Sequence, residues 1–192
     1  MWFEAILLGL IIGVIRGGRL SNLENSHVKG AMLIVLGLLL QLIPFFLHAV
    51  EFVATNAKYF TIAGLAMAII ALLLNLKKRG IWLVGLGAIL QVVVLILNDM
   101  LMPIRLAGAT SAKLVQMRLA IESGEIANYV LFNQSTHWSK FLGKTILMPD
   151  VYPFTVAIGI PDLIIAIGMI LFIQNELQIV RTYRTYTGKR RY

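Results

Sequence analysis

Long apolar runs separated by short polar stretches dominate this chain. They cover about residues 2–15, 30–48, 58–76, 80–98 and 154–174. A helix of ~20 apolar residues crosses a hydrocarbon layer of ~30 Å, so the last four runs have the required length and the first is short. The pattern predicts an all-α integral membrane protein with five transmembrane helices, in a single membrane domain over residues 1–192.

Two of these runs contain the same short pattern. Residues 29–41 and residues 79–91 align without a gap. The matching pairs are Gly30/Gly80, Leu33/Leu83, Leu36/Leu86, Gly37/Gly87, Leu40/Leu90 and Gln41/Gln91. An internal repeat of this kind predicts two parallel-repeat helical hairpins, formed by spans one and two and by spans three and four, with span five outside the repeat. Similar apolar composition is the alternative explanation for so short a match.

The segment between the fourth and fifth runs, residues 99–153, is the one long stretch outside the apolar runs. Leu114, Met117 and Ile121 share a helical face, and Ile126–Phe132 forms a second apolar stretch. This pattern favours two short helices lying on the membrane surface. The segment is therefore predicted to be helical and extracytoplasmic.

Composition supports the membrane interpretation. Hydrophobic residues make up 59% of the chain and charged residues only 14%, whereas a soluble domain carries ~25% charge. Trp138 and Tyr152 suit the aromatic belt at a membrane surface. Membrane lipids are therefore expected partners.

The 17 basic residues are distributed unevenly. Eleven lie in the loop 16–29, the cluster 77–79 and the tail 175–192, and six lie elsewhere. The positive-inside rule then predicts that the N-terminus is outside and the C-terminus is cytoplasmic in a bacterial cytoplasmic membrane. Topological anchoring explains the net charge of +8 without nucleic acid, although RNA or partner binding is the alternative for the tail.

Two glutamines occupy equivalent positions in the repeated runs. Gln41 lies ~16 Å above Gly30, near the middle of the layer, and Gln91 has the same depth. His48 shares a helical stripe with Gln41, and Asn98 shares one with Gln91. Because an amide facing lipid would lack hydrogen-bond partners, both glutamines are expected to point into the bundle. They either bond the two halves together or line a polar site.

One carboxylate falls within the fifth run. Asp162 lies about eight residues into it, in the stretch Gly-Ile-Pro-Asp. A carboxylate at that depth normally faces protein or a water-filled cavity. Pro161 disfavours a helical Ile160, so Asp162 could instead lie near a helix N-terminus, where the helix dipole favours its charge. A functional site and a structural ion pair or cap are the two interpretations.

Together these residues predict an outward-facing polar pocket. Its candidate ligand-binding residues are Gln41, His48, Gln91, Asn98 and Asp162. Gln41, Gln91 and Asp162 are expected to share one connected cavity. No catalytic residue is predicted, because the sequence has no nucleophile–base signature. The chain has no cysteine, and its three histidines do not show the spacing of metal ligands. We therefore predict neither a metal nor a cofactor.

Three glycines four residues apart mark one face of the first run. Gly9, Gly13 and Gly17 would let a second helix backbone approach closely. The face is interpreted as a helix-packing face, which could join a homo-oligomer or a membrane-protein partner. A groove that faces a ligand is the alternative.

Several short motifs resemble a known family. They are Arg16-Gly17-Gly18-Arg19-Leu20, the run with Gln41, Asn98 followed by Met102-Pro103-Ile104, and the segment from His137 to the Ile-Gly-x-x-Asp stretch at Ile158–Asp162. The chain resembles an uncharacterised family of small bacterial polytopic membrane proteins, best known from Firmicutes, described only as a domain of unknown function. The resemblance therefore implies a bacterial membrane protein and no catalytic residue.

The sequence departs from that family pattern at three places. Asp99-Met100-Leu101 replaces a glycine-rich stretch, Lys144 stands where an acidic residue is usual, and Ile160-Pro161 precedes the aspartate. The combined observations favour a non-catalytic accessory subunit or a binder of a small molecule or lipid. The alternative is a lipid-active membrane enzyme or small transporter that uses Asp162 with Gln41 and Gln91.

Overall fold

Helices form most of the fold. The computed structural model describes residues 2–24, 26–47, 50–106, 111–124, 126, 128–149, 152 and 156–178. The α-helices are α1 (Trp2–Ile15), α2 (Ser21–Glu24), α3 (Ala31–Phe46), α4 (Glu51–Leu74), α5 (Ile81–Leu97), α6 (Ala112–Glu122) and α7 (Ile160–Gln178). Four short strands are β1 (Met102–Ile104), β2 (Tyr129–Leu131), β3 (Ile146–Leu147) and β4 (Ala157–Ile158), and a 3₁₀ helix covers Trp138–Leu142.

The two copies of the repeated pattern begin in the same way. The residue before α3 is Gly30, with φ of 70°, and the residue before α5 is Gly80, with φ of 87°. Glycine adopts this left-handed backbone without steric cost. At Gly80 a side chain would also collide with the backbone of α7, whereas at Gly30 it would meet only the end of the Leu74 side chain. Both helices therefore start at a glycine that the backbone favours, and at Gly80 the packing requires it as well.

The helix α7 lies at the centre of the helical part. It packs against α1 and against α5, while α3 packs mainly against α4. The buried residues of α7 are Pro161, Asp162, Ile165, Ala166, Gly168, Ile173, Gln174, Glu176 and Leu177. The neighbours of α7 therefore cover most of its circumference.

Between α5 and α7 the chain forms a small module of its own, here called the intervening module (described residues between 102 and 158). In it β1 pairs in parallel with β2, and β3 pairs antiparallel with β4. Ile104, Leu106, Leu114, Ile121 and Ala157 form its buried core. Leu114 and Ile121 point from α6 into this core, so the apolar face found in the sequence packs on protein.

The predicted fold class is wrong because its main element, a set of five transmembrane helices, is not supported. Among the described residues, only α7 has both the length and the apolar composition needed to cross a membrane, and half of the tested stretch is buried inside the protein. The apolar parts of α1, α3, α4 and α5 are 10–17 residues long. The helices therefore occur near the predicted positions, but five transmembrane helices are not supported.

The apolar runs extended further in the sequence than the apolar helices do in the structure. The helix α4 begins seven residues before the predicted span, at Glu51, and its first turns carry polar residues. The last predicted span begins at residue 154, whereas α7 begins at Ile160, after β4. The polar first turns of α4 thus lie outside the predicted third span, and strand residues take up part of the length that the sequence assigned to the fifth span.

Two other parts of the fold prediction are also wrong. The class is not all-α, because Ile126–Phe132, expected to be helical, contains β2. The predicted hairpins paired the first run with the second and the third with the fourth, but α1 packs on α7, and α3 packs on α4. Whether the chain arose by duplication stays a prediction.

The outward faces of the helices carry large apolar side chains. Ile15 is 77% exposed, Met32 68% and Phe52 69%. Many leucines and isoleucines of α1, α3, α4 and α5 are exposed in the same way. The helical part therefore presents a broad apolar surface that no described part of the chain covers.

The exit from α5 has an unusual backbone. Asp99 and Met100 both have positive φ, at 54° and 65°. The Met100 amide donates to the Leu95 carbonyl at 2.7 Å and closes the turn. Glycine is the residue that favours this conformation, and the resembling family has a glycine-rich stretch here.

Candidate functional site

The site is built around Asp162, in the first turn of α7. The strand β4 ends at Ile158, Gly159 follows, and α7 starts at Ile160. Pro161 fits the first turn because its missing N–H would have no helical partner there. The Asp162 Oδ2 atom accepts a hydrogen bond from the Gly159 backbone N–H at 2.7 Å, which is the second half of a capping box. The alternative that placed Asp162 near a helix N-terminus is confirmed, although Ile160, expected to be non-helical, is the first residue of α7.

Two side chains from other elements also reach the Asp162 carboxylate. The Lys144 Nζ atom lies 2.6 Å from Oδ2, and the Gln91 Nε2 atom donates to Oδ1 at 2.7 Å. Asp162 is only 4% exposed. The carboxylate thus receives hydrogen bonds from α5, from the intervening module and from the start of its own helix.

The backbone of the intervening module fixes the position of Lys144. Its N–H donates to the Pro103 carbonyl at 2.8 Å, and its carbonyl accepts from the Arg105 N–H at 2.9 Å. The Lys144–Asp162 ion pair therefore joins the module to the helical part. Removing one partner of a buried ion pair typically costs 3–5 kcal/mol because the other charge is left uncompensated.

A shallow cleft lies beside this ion pair. It measures about 140 Å³ and is lined by Gln91, Met102, Leu142, Gly143, Lys144, Pro161 and Asp162. It contains no enclosed space that would hold a water molecule. Gly143 lies against the backbone of Pro103, and Gly159 lies against the backbone of Gly143. Close backbone packing and the ion pair leave no room for a ligand in the cleft.

Gln41 lies in a different environment from Gln91. Its side chain contacts Gly64 of α4, and its Nε2 atom donates to the Gly37 carbonyl at 3.4 Å. Gln41 is not among the residues that line the cleft. The structure thus brings Gln91 together with Asp162 and places Gln41 between α3 and α4.

Asn98 holds the intervening module to the end of α5. Its Nδ2 atom donates to Ser139 Oγ at 2.8 Å and to the Val94 carbonyl at 2.7 Å, and its Oδ1 atom accepts from Ser135 Oγ at 2.5 Å. Asn98, Ser135 and Ser139 are all buried. Asn98 therefore has a structural role. The fifth candidate, His48, lies outside the described residues.

A comparison with family models identifies the chain's relatives. The model of a family of unknown function, DUF5317, matches residues 25–174. The chain belongs to this family. No curated protein and no solved structure matches it.

The DUF5317 match contains Gln91, Lys144 and Asp162 and therefore the whole ion-pair site. It begins before α3 and ends within α7, so it leaves out α1. Membership confirms the resemblance to an uncharacterised family and supplies no activity.

The glycine face of α1 has a partner within the chain. Gly9 lies against Ile170 and Ile173, and Gly13 lies against Gln174 and Leu177, all on α7. No atom lies within 4 Å of a Cβ built at Gly17. The close approach expected at Gly9 and Gly13 is thus made to α7, and association of two copies through this face stays a prediction.

A second polar network, which sequence reasoning missed, lies at the other end of α7. Buried Glu176 accepts hydrogen bonds from Ser26 and from Lys78, whose Nζ atom lies 3.0 Å away. Asn22 donates to the Leu177 carbonyl at 2.6 Å. The polar loop after α1 and the turn after α4 therefore lie together at this end. From Asp162 to Glu176 the helix rises roughly 21 Å at 1.5 Å per residue.

Sequence reasoning also missed the role of Lys144, noting it only as a departure from the family pattern. The available signal was a lysine in the segment before the fifth run and a carboxylate within that apolar run. Each of these charges needs a partner of opposite sign. Tyr129 lies near the same pair: burial, and secondarily the negative charge of Asp162, raise the pKa of its phenol above the ordinary value. The site therefore consists of one ion pair, Lys144 and Asp162, in largely apolar surroundings.

Proposed function

We propose that the protein resides in a lipid membrane and acts there as a non-catalytic binding protein or accessory subunit, with the cleft beside Asp162 as its binding position. The main support is the Asp162 carboxylate, which receives hydrogen bonds from Gln91, Lys144 and Gly159. A carboxylate occupied in this way is held as a structural anion and is poorly placed to act as a base.

Membrane residence is supported by the exposed apolar faces of the helices. Soluble monomers rarely expose a contiguous apolar patch larger than a few hundred Å², and each Å² left in water costs roughly 25 cal/mol. Ile15, Met32 and Phe52 are each more than two thirds exposed. Lipid would cover these faces without that cost.

We propose the orientation that the basic residues indicate. The loop 16–29 and the cluster 77–79 meet at the Glu176 end of α7, and that end would face the cytoplasm. The intervening module would then lie outside. Ser123 and Lys77 are exposed at opposite ends, and the chain has no cysteine. A cysteine at Ser123 should react with an impermeant thiol reagent in intact cells and one at Lys77 should not; the reverse labelling would contradict the orientation.

Ligand entry would require the ion pair to separate. Lys144 and Gln91 lie on the wall of the closed cleft together with Asp162. A small polar molecule or a lipid headgroup that enters must therefore replace the Lys144–Asp162 contact with bonds of its own, because an unpaired buried charge is costly. The expected ligand carries both hydrogen-bond donors and an acidic group, which match Asp162 and Lys144 respectively.

Native mass spectrometry of protein purified with native lipids tests this proposal. The wild-type protein should retain a small molecule, lipid or partner that Gln91→Leu reduces at equal protein yield. Gln41→Leu is the matched control, because Gln41 lies outside the cleft. An identical bound population in all three proteins would contradict a binding role for the cleft.

The alternative, a lipid-active enzyme or transporter that uses Asp162 with Gln41 and Gln91, has less support. It needs the two glutamines at one centre, whereas Gln41 contacts Gly64 and Gln91 contacts Asp162. Gln41→Leu distinguishes the two functions once a cellular phenotype is known, because the alternative uses Gln41 and the lining of the cleft does not include it. Loss of the phenotype at normal protein level would favour the alternative.

A further inference from the structure

Two cations of the intervening module share one aromatic ring. The Arg105 Cζ atom lies 4.1 Å from the centroid of the Phe132 ring, and the Lys140 Nζ atom lies 5.0 Å from the same centroid. The Phe132 ring also packs edge-to-face on Phe141, with centroids 5.4 Å apart. Trp138 lies two residues before Lys140 in the sequence. Arg105, Phe132, Trp138, Lys140 and Phe141 are together called the cation–aromatic patch.

The cations of the patch differ from the three cations that form ion pairs within the described residues. Lys78, Lys144 and Arg118 each form an ion pair with a carboxylate. Within the described residues, neither Arg105 nor Lys140 does so, and the Lys140 ammonium donates only to the Ser135 carbonyl, at 2.9 Å. Two like charges close to one ring repel each other, and an anion near both would offset that repulsion.

The patch also lies where the apolar helices meet the polar module. Trp138 is 61% exposed and Phe141 57%, and both belong to the 3₁₀ helix that carries Lys140. Ser139 of this short helix is bonded to Asn98 at the end of α5. Exposed aromatic side chains beside the end of an apolar helix are typical of the boundary between lipid and water.

We propose that the cation–aromatic patch binds the phosphate of an anionic phospholipid headgroup. The Arg105 guanidinium offers a planar fork of donors that matches phosphate geometry, and Lys140 adds a second positive charge. Trp138 and Phe141 would rest against the upper acyl chains of the same lipid. A free phosphate ion would leave those two aromatic side chains in water, so the lipid source is favoured. The inference rests on the proposed membrane residence.

The test measures lipid binding by the full chain in detergent. Wild type, Arg105→Gln/Lys140→Gln and the control Arg118→Gln/Lys113→Gln are titrated with short-chain phosphatidylglycerol, phosphatidylcholine and inorganic phosphate, and Kd is measured by thermophoresis. The control removes the same charge from exposed positions on α6. A basic side chain near an anionic surface strengthens binding roughly fivefold, so the double variant of the patch should lose roughly 25-fold for phosphatidylglycerol, and the control should lose much less.

Each other outcome contradicts the inference. Equal losses in the two double variants would indicate general charge attraction, and equal Kd values for the two lipids would exclude headgroup selection. Binding of inorganic phosphate as tight as that of phosphatidylglycerol would point to a free anion. Carbonate extraction of cell membranes is measured separately: a protein released by it would contradict membrane residence, whereas a retained protein without lipid selectivity would contradict this inference alone. Thermal melting of each variant checks that it is folded.

Discussion

The two copies of the repeated pattern place the same side chains against different partners. In α3, Gly37 packs against the Gly64 backbone and Gln41 contacts Gly64 as well. In α5, Gly87 packs against Pro161 and Ile165, and Gln91 donates to Asp162. The α3 copy therefore makes a glycine contact between two helices, and the α5 copy completes a buried ion-pair site.

This difference shows that the repeated pattern specifies close helix packing and leaves the chemistry to the partner helix. A glycine and a glutamine one turn apart let a second backbone approach and then offer it an amide. The antiparallel neighbour presents Gly64 in one case and Asp162 in the other. Function would then depend on α7 and on the intervening module, which supplies Lys144.

The largest expected effect is at the Lys144–Asp162 ion pair, which lies beside the α5 copy. Asp162→Asn leaves the Lys144 ammonium without its carboxylate in a mostly buried position, so we expect a loss of about 3–5 kcal/mol in the free energy of unfolding. Glu122→Gln is the control, because its partner Arg118 is exposed and such pairs contribute ~0–1 kcal/mol. Denaturant unfolding of the purified proteins measures both.

A double variant decides whether the Asp162→Asn loss comes from the uncompensated charge. Combining Asp162→Asn with Lys144→Met should recover part of the lost stability, because no unpaired ammonium remains. Additive losses would show that the two side chains act independently, and the α5 copy would then have no special ion-pair site.

The helix positions were largely predictable from the sequence, because apolar runs mark them directly. The predicted first run and α1 cover the same residues, 2–15. The start of α4 was missed because Glu51, Thr55 and Asn56 interrupt the apolar pattern there. Strands of two or three residues are too short to show a period of two, and the intervening module was therefore predicted to be helical.

The candidate site was predictable in part. The cost of a lone carboxylate or amide in an apolar run identified Asp162 and Gln91. Their mutual contact depends on the packing of α5 against α7, and the choice of Lys144 as the counter-ion depends on its bridge to Ile104 of β1. Both bring together residues far apart in sequence. Gln41 was assigned to the same cavity on depth alone, and depth does not specify the neighbouring helix.

The two glutamines provide a direct comparison of the copies. Gln91→Leu removes a hydrogen bond to a buried carboxylate, and we expect it to cost about 1.5–3 kcal/mol. Gln41→Leu removes only a long contact to the Gly37 carbonyl, so its cost should be below ~1 kcal/mol. Unfolding free energies of the two variants measure the difference. Equal costs would mean that the two copies are energetically alike.

Two glycines on α5 test how tightly this copy packs. A Cβ on Gly87 would lie 2.7 Å from the Pro161 carbonyl oxygen and 2.6 Å from an Ile165 side-chain atom, so Gly87→Ala should destabilise by about 1–3 kcal/mol. A Cβ on Gly85 meets nothing within 4 Å, so Gly85→Ala should stabilise by about 1 kcal/mol through helix propensity. Thermal melts should shift in opposite directions, and a shared direction would contradict the packing difference.

The smallest expected effect concerns the ends of the two copies. The residue after α3, Leu47, and the residue after α5, Asn98, both have a negative φ, and the α5 copy then continues into Asp99 and Met100 with positive φ. A left-handed residue other than glycine costs about 1–2 kcal/mol, and glycine gives back about 0.5–1 kcal/mol through its larger unfolded-state entropy. Met100→Gly should therefore stabilise the fold by about 0.5–1 kcal/mol, measured as a rise in Tm.

Asp99→Gly is the matched control for that change. Aspartate adopts the left-handed region more readily than methionine because its short side chain bonds locally, so its replacement should raise Tm less. The order of the two shifts then tests whether backbone strain at Met100 is the cause. A lower Tm for Met100→Gly would show that the methionine side chain contributes more through packing than its backbone costs.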